Sequence, residues 1–168
     1  HILGTALVTM NSKENDTLVR IGFSGDLGRK FLPILKDPEQ ISDVDYLICE
    51  STYGDRLHND IKNSYNELAK IINETSKRGG KVIIPSFAVE RAQELLYIIH
   101  ELKDTKAIPD IPVYLDSPLA VRIVNIFSEF MDLYDDETRE HFLKKGENPF
   151  IFSKLHLVES PRASKALN

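Results

Sequence analysis

Alternating apolar and polar positions dominate the start of the chain, and a helical period takes over further on. Leu7 to Met10 and Thr17 to Phe23 are rich in β-formers. They flank the polar run Asn11-Ser12-Lys13-Glu14-Asn15-Asp16, which predicts a hairpin with a polar loop. Asp37-Pro38 breaks the chain after Phe31 to Leu35. The short apolar run Tyr46 to Cys49 predicts a buried strand. Beyond it, Ile61, Tyr65, Leu68, Ala69 and Ile72 recur at helical spacing, and Gly79-Gly80 stops that helix. Lys81 to Ser86 reads as a strand ending at Pro85, and Ala88 to Leu102 as a helix with Ala92, Leu95, Leu96, Ile99 and Leu102 on one side. Pro112 to Pro118 repeats the strand pattern. Leu119 to Tyr134 reads as a third helix, and Asp136 to Lys145 as a fourth, closed by Gly146. Asn148 to Asn168 reads as irregular.

Strand-then-helix repetition from about residue 57 predicts βαβ crossovers and a parallel sheet. Residues before it are richer in antiparallel strand. The expected fold class is therefore α/β, with a boundary near Arg56 to Asn59 and domains at 1–56 and 57–168. Both later strands end with a serine just before a helix, at Ser86 and Ser117. Such a serine can simply cap the first helical turn. Alternatively, two helix N-termini at one sheet edge can cradle phosphates through their free N–H groups.

Composition narrows the class. In 168 residues, 42% are hydrophobic and 28% charged, as in a globular domain rather than a disordered one. No apolar run approaches the ~18–20 residues that cross a bilayer, so no membrane partner is expected. The single Cys49 cannot form an internal disulfide, which favours a reducing, cytoplasmic setting. The net charge of −5 argues mildly against a nucleic-acid module, although local basic clusters exist at Arg29-Lys30, Lys77-Arg78, Lys144-Lys145 and Arg162 to Lys165.

The candidate chemistry lies in two acidic turns. Phe23-Ser24-Gly25-Asp26-Leu27-Gly28 and Leu47-Ile48-Cys49-Glu50-Ser51-Thr52-Tyr53-Gly54-Asp55 each read as a strand that ends with a carboxylate at its tip. Strand ends are rigid and open onto clefts, which suits metal ligands and acid–base groups. The opening His1-Ile2-Leu3-Gly4-Thr5-Ala6 could add a third member to that edge.

Taken in order, His1 to Gly4, Ser24 to Gly28, Glu50 to His58, Gly79 to Leu96 and Tyr114 to Ala120 resemble the β-CASP branch of the metallo-β-lactamase superfamily, RNA-processing nucleases related to the endonuclease that cuts pre-mRNA 3′ ends. The resemblance runs to about Phe152. It implies the C-terminal end of a metallo-β-lactamase-type segment, mostly antiparallel, followed by a Rossmann-like parallel-sheet β-CASP domain, both incomplete. It implies that His1 and Asp26 are zinc ligands, Asp26 bridging two ions, and that Glu50 orients a histidine that protonates the leaving group. Ser86, Arg91 and Ser117 fall in segments that line the substrate cleft of relatives. The implied partner is single-stranded RNA. A homodimer is a further option, because truncation leaves sheet edges open.

The chain departs from the family pattern in two ways. The zinc motif His-x-His-x-Asp-His does not occur in it, nor do convincing matches to the later β-CASP histidines; His58, His100, His141 and His156 read as surface or helix-face residues. The expectation is a fragment of a zinc-dependent nuclease, inactive in isolation, with zinc absent or partial. The alternative is a non-catalytic RNA-binding or scaffold homologue. In addition, Glu90 stands where relatives usually carry glycine before Arg91-Ala92-Gln93-Glu94.

Overall fold

The computed structural model describes residues 2–28, 30–57 and 61–167, with the side chains of residues 14, 61 and 62 outside that description. Strands β1 (Val8–Glu14) and β2 (Thr17–Phe23) form the expected hairpin. It is longer than the sequence suggests: Glu14 pairs with Thr17, so the polar residues 11–14 belong to the strand. The turn is only Asn15-Asp16, both at positive φ (46° and 61°). That backbone twist suits a two-residue hairpin, and Asn and Asp tolerate it best after glycine.

Strand β3 (Tyr46–Ile48) pairs parallel to β2. The first sheet is therefore mixed rather than simply antiparallel. Nor is β3 buried as expected: Tyr46, Leu47 and Ile48 are all more than half exposed.

The helical part follows the predicted periods. Helix α1 (Ile61–Lys77) stops at Gly79, which sits at φ 69° while the Gly79 and Gly80 amides return to the Ser76 and Thr75 carbonyls. Helix α2 (Arg91–Asp104) starts three residues later than predicted and is buried along most of its surface, from Ala92 to His100. Helix α3 (Pro118–Glu129) is capped by Ser117, whose Oγ accepts the Ala120 N–H at 3.2 Å, with Pro118 in the first turn. Helix α4 (Asp136–His141) is capped by Asp135.

Two corrections concern the parallel sheet. Residues 81–86 form no strand, and every residue from Lys81 to Phe87 is exposed. An apolar stretch such as Val82-Ile83-Ile84 adopts a ladder only where neighbouring strands supply partners and cover, and the described residues supply neither. Conversely, the tail is not irregular. Strand β5 (Leu155–Val158) pairs parallel to β4 (Val113–Asp116), and α5 (Pro161–Lys165) follows with Ser160 as its cap. The repeated element is thus β4-Ser117-Pro118-α3 and β5-Ser160-Pro161-α5. Ser164 Oγ on α5 donates to Asp116 Oδ2 at 2.8 Å, tying the two ends together.

The main core gathers Leu96 and Tyr97 of α2, Val124 and Phe127 of α3, then Tyr134, Phe142 and Phe150. Each such side chain contributes about 1.5–3 kcal/mol when fully buried. Ile34 and Leu35, from the loop after β2, join the same cluster. They are held there by Asp135 N–H to Ile34 O at 2.8 Å and Lys36 N–H to Leu133 O at 3.2 Å. Residues on both sides of position 56 therefore share one core.

Candidate active site

Both acidic turns hang from the ends of paired strands. Gly25, at φ 55°, follows β2, and a side chain there would meet the Ala6 carbonyl oxygen at 3.0 Å. Glycine is needed at this point to bring the Asp26 turn against the opening segment. Asp26 is exposed at the bend that follows. Ser24, just 2% exposed, donates its N–H to Ile48 O at 3.0 Å and accepts the Glu50 N–H on its Oγ, also at 3.0 Å. The Asp26 and Glu50 turns are therefore anchored to one another through a single buried serine. The Glu50 carboxylate is solvent-facing and accepts the Thr52 N–H at 3.0 Å. That bond, with a further one to the Thr52 side chain, holds its pKa below the ordinary value, so Glu50 is ionised at neutral pH.

Glu50 lines a cleft with Gly28, Tyr53, Glu90, Arg91 and Glu94. Two predicted site residues, Glu50 and Arg91, thus share one cavity. Arg91 pairs with Glu94 one turn along α2, and the Glu94 side chain is almost fully enclosed. Between the cleft and the helix stands Glu90, at φ 65°, ψ −61°, with the Arg91 N–H bonded back to Val89 O at 2.8 Å. This is a γ-turn of the strained, positive-φ kind. Glu90 Oε2 is buried without a hydrogen-bond partner. Burial raises its pKa to about 7, partly offset by the Leu3 backbone N–H and reinforced by the Glu94 charge.

The other predicted residues fall elsewhere. Ser86 is exposed and lies five residues before α2, so it is not that helix's cap; Glu90 holds the position with no side-chain bond. Ser117 is a cap at the C-terminal end of β4. His1 and His58 lie outside the described residues. His100, expected on a helix surface, is instead buried. Among the described residues Asp26 belongs to no group of three metal-capable side chains, so these residues alone do not frame a two-zinc centre. The sequence reading passed over Glu94 as a cleft residue; its i,i+3 spacing from Arg91 is the signal that marks it.

Comparison with known proteins fits this architecture. Residues 92–168 match the Beta-Casp domain. A ribonuclease of Thermus thermophilus, TTHA0252, is 41% identical over 168 residues, all of this chain and 37% of that protein. Transcription termination factor FttA of a Lokiarchaeum is 35% identical over 95% of this chain and 25% of its own length. Endoribonuclease YSH1 of Saccharomyces cerevisiae is 32% identical over 95% of this chain and 21% of its own length. The chain therefore spans well under half of the curated relatives it matches. Residues 92–168, which hold the paired β4 and β5 and the serine-capped α3 and α5, thus carry a Beta-Casp domain, and the similarity to the ribonuclease relative extends over the acidic turns as well.

Proposed function

We propose that this chain is part of an RNA-processing nuclease that hydrolyses phosphodiester bonds, contributing a metal-ligand turn, a supporting acid and part of the substrate cleft. The observation that carries this reading is the meeting of Glu50 and Arg91 in one cleft, with the Asp26 turn anchored to Glu50 through Ser24. The ribonuclease and endoribonuclease relatives support it.

In the whole protein Asp26 and His1 would be ligands to zinc, with the remaining ligands supplied from elsewhere. Bound zinc would supply an activated hydroxide and polarise the phosphate. Glu50, ionised and fixed by the Thr52 N–H, is suited to accept a hydrogen bond from a histidine and set its tautomer. Arg91 would grip a phosphate of single-stranded RNA, with Glu94 holding the guanidinium in place. Ser117 caps α3, leaving other first-turn N–H groups of that helix to face the polyanion; Ser86 would lie along the same strand of RNA. No described helix is long and apolar enough to cross a membrane. A cytoplasmic setting belongs to the same proposal.

The acidic lining of the cleft favours a second reading, a non-catalytic RNA-binding or scaffold homologue, because Glu90 and Glu94 compete with phosphate for Arg91. The test uses full-length protein and a labelled single-stranded RNA. The nuclease reading expects cleavage by the wild type and a fall of at least about 100-fold in Glu50→Gln, with RNA still bound. Binding without cleavage in both proteins would establish the scaffold instead.

A further inference from the structure

His100 sits on α2 with only 7% of its side chain exposed, between the rings of Phe142 and Phe152 at centroid distances of 4.6 and 5.2 Å. Its Nδ1 lies 3.0 Å from the Pro149 carbonyl oxygen. A carbonyl only accepts, so Nδ1 carries the hydrogen and the neutral ring keeps a lone pair on Nε2. That nitrogen lies 3.8 Å from Asp104 Oδ1, one turn further along α2. The other oxygen, Asp104 Oδ2, lies 3.7 Å from Nε2 of His141, at the end of α4. Both separations are too long for hydrogen bonds. Yet His141 Nε2 is shut off from solvent and has no hydrogen-bond partner. Glu147, just past Gly146, brings a second carboxylate. One ligand atom each from His100, Asp104 and Glu147 lie within 4.8 Å of one another.

Three features separate this cluster from an ordinary surface group. The His100 ring is oriented from behind by a carbonyl, the arrangement that commonly fixes a metal-binding imidazole. A buried imidazole nitrogen is left without a partner beside a carboxylate. And two carboxylates approach each other with no Lys or Arg paired to either among the described residues. A cation at the centre answers the first and third directly, and the second once His141 turns toward it. Ligand bonds of about 2.0–2.1 Å in tetrahedral geometry put donor atoms about 3.3 Å apart, so small side-chain adjustments would bring His100, Asp104 and Glu147 onto one ion, while His141, outside that close group, must swing in from its place beside Asp104 Oδ2.

We propose that His100, Asp104 and Glu147 form a divalent transition-metal site, with His141 turning in from beside Asp104 as fourth ligand, and that the site pins α2, α4 and the Gly146 turn together. Two imidazoles and two carboxylates suit Zn²⁺ better than Ca²⁺ or Mg²⁺. The site stands apart from the cleft: His100 lies nine positions along α2 from Arg91, roughly 14 Å at the helical rise. It is a different site from the one that would involve Asp26, and its role is structural.

The test measures bound zinc in the full-length protein in an Asp26→Ala background, which lowers the contribution of the other centre. Asp104→Asn and Glu147→Gln are the working variants, since both alter exposed carboxylates with little change in shape; melting in the presence of chelator shows that each folds. Each is expected to lose one zinc equivalent per chain, to weaken zinc binding by more than the roughly 10–100-fold typical of outer-shell changes, and to lose the rise in melting temperature on adding Zn²⁺. Co²⁺ loaded into the parent should show visible d–d bands that both variants lack. Equal zinc content and an equal melting response in the parent and both variants would overturn the site, leaving the His–Asp approaches as proton-dependent ion pairs.

Discussion

The Glu50 N–H donates to Ser24 Oγ at 3.0 Å, so the tip of β3 is fastened to the tip of β2 by a side chain that is itself 2% exposed. The same hydroxyl donates to Gly25 O at 2.8 Å, one residue before Asp26. Shortening Ser24 to a methyl leaves the part-buried Glu50 N–H and Gly25 carbonyl without this partner. Ser24→Ala is therefore expected to cost about 1–3 kcal/mol in chemical denaturation. If the proposed nuclease role of these turns holds, it should also lower RNA cleavage by the full-length protein by about 10–100-fold, since small misplacements of a reacting group are costly. Unchanged cleavage at temperatures where the variant stays folded would show that the two turns do not depend on this link.

Glu90 supplies a pH-dependent prediction. Its carboxyl has an ordinary pKa of 4.5 and is raised to about 7 in the folded chain. The folded state then holds a proton that the unfolded state has released between those values. The stability from this group is complete below about pH 4.5 and is lost as pH rises to about 7, on the order of 1–3 kcal/mol. Glu90→Gln should flatten that part of the stability–pH curve while keeping the strained turn. Glu90→Gly should flatten it and also gain roughly 1–3 kcal/mol by relieving the positive-φ backbone. If both variants titrate like the wild type, the pH dependence lies in other groups.

Arg91 and Glu94 separate the electrostatic roles of the cleft. Arg91→Gln removes the guanidinium beside a nearly enclosed carboxylate, and is expected to cost about 1–3 kcal/mol in stability. If Arg91 also meets a phosphate, the variant should bind RNA more weakly, with a salt slope smaller by about one. Glu90→Gln should do the opposite and tighten binding, because it removes negative charge from the same cleft. RNA affinity and salt slope that ignore both changes would take this cleft out of the RNA path.

The legible parts of the sequence were those whose signals are local. The hairpin, α1, α3, α4 and the Ser117 cap follow from alternation, helical period and capping chemistry within a few residues. Residues 81–86 read as a strand because their side chains are apolar, but a ladder depends on partners that no local pattern reports. Strand β5 was missed for the mirrored reason: Leu155-His156-Leu157-Val158 is short and contains a histidine, and its pairing with Tyr114 and Leu115 of β4 comes from far along the chain. In the site, Glu90 stood out by residue type alone, whereas its γ-turn and its buried oxygen needed coordinates. His100 read as a surface histidine because helix spacing does not reveal Phe142, Pro149 and Phe152 closing over it.

The last prediction concerns Asp26. It is exposed at a turn and, among the described residues, belongs to no cluster able to hold a pair of metal ions. A two-metal hydrolytic centre needs several ligands around each ion, so one carboxylate at the tip of β2 cannot sustain one. The 168-residue chain produced alone is therefore expected to leave single-stranded RNA intact with zinc added. On the proposed role of Asp26 as a metal ligand, the full-length protein should cleave it, and Asp26→Ala there should lower cleavage by on the order of 1,000-fold while leaving RNA binding nearly unchanged. The measurements are single-turnover cleavage and a binding isotherm on the same RNA. Vigorous cleavage by the isolated chain, or by Asp26→Ala in the full-length protein, would show that the reacting centre is built without this turn.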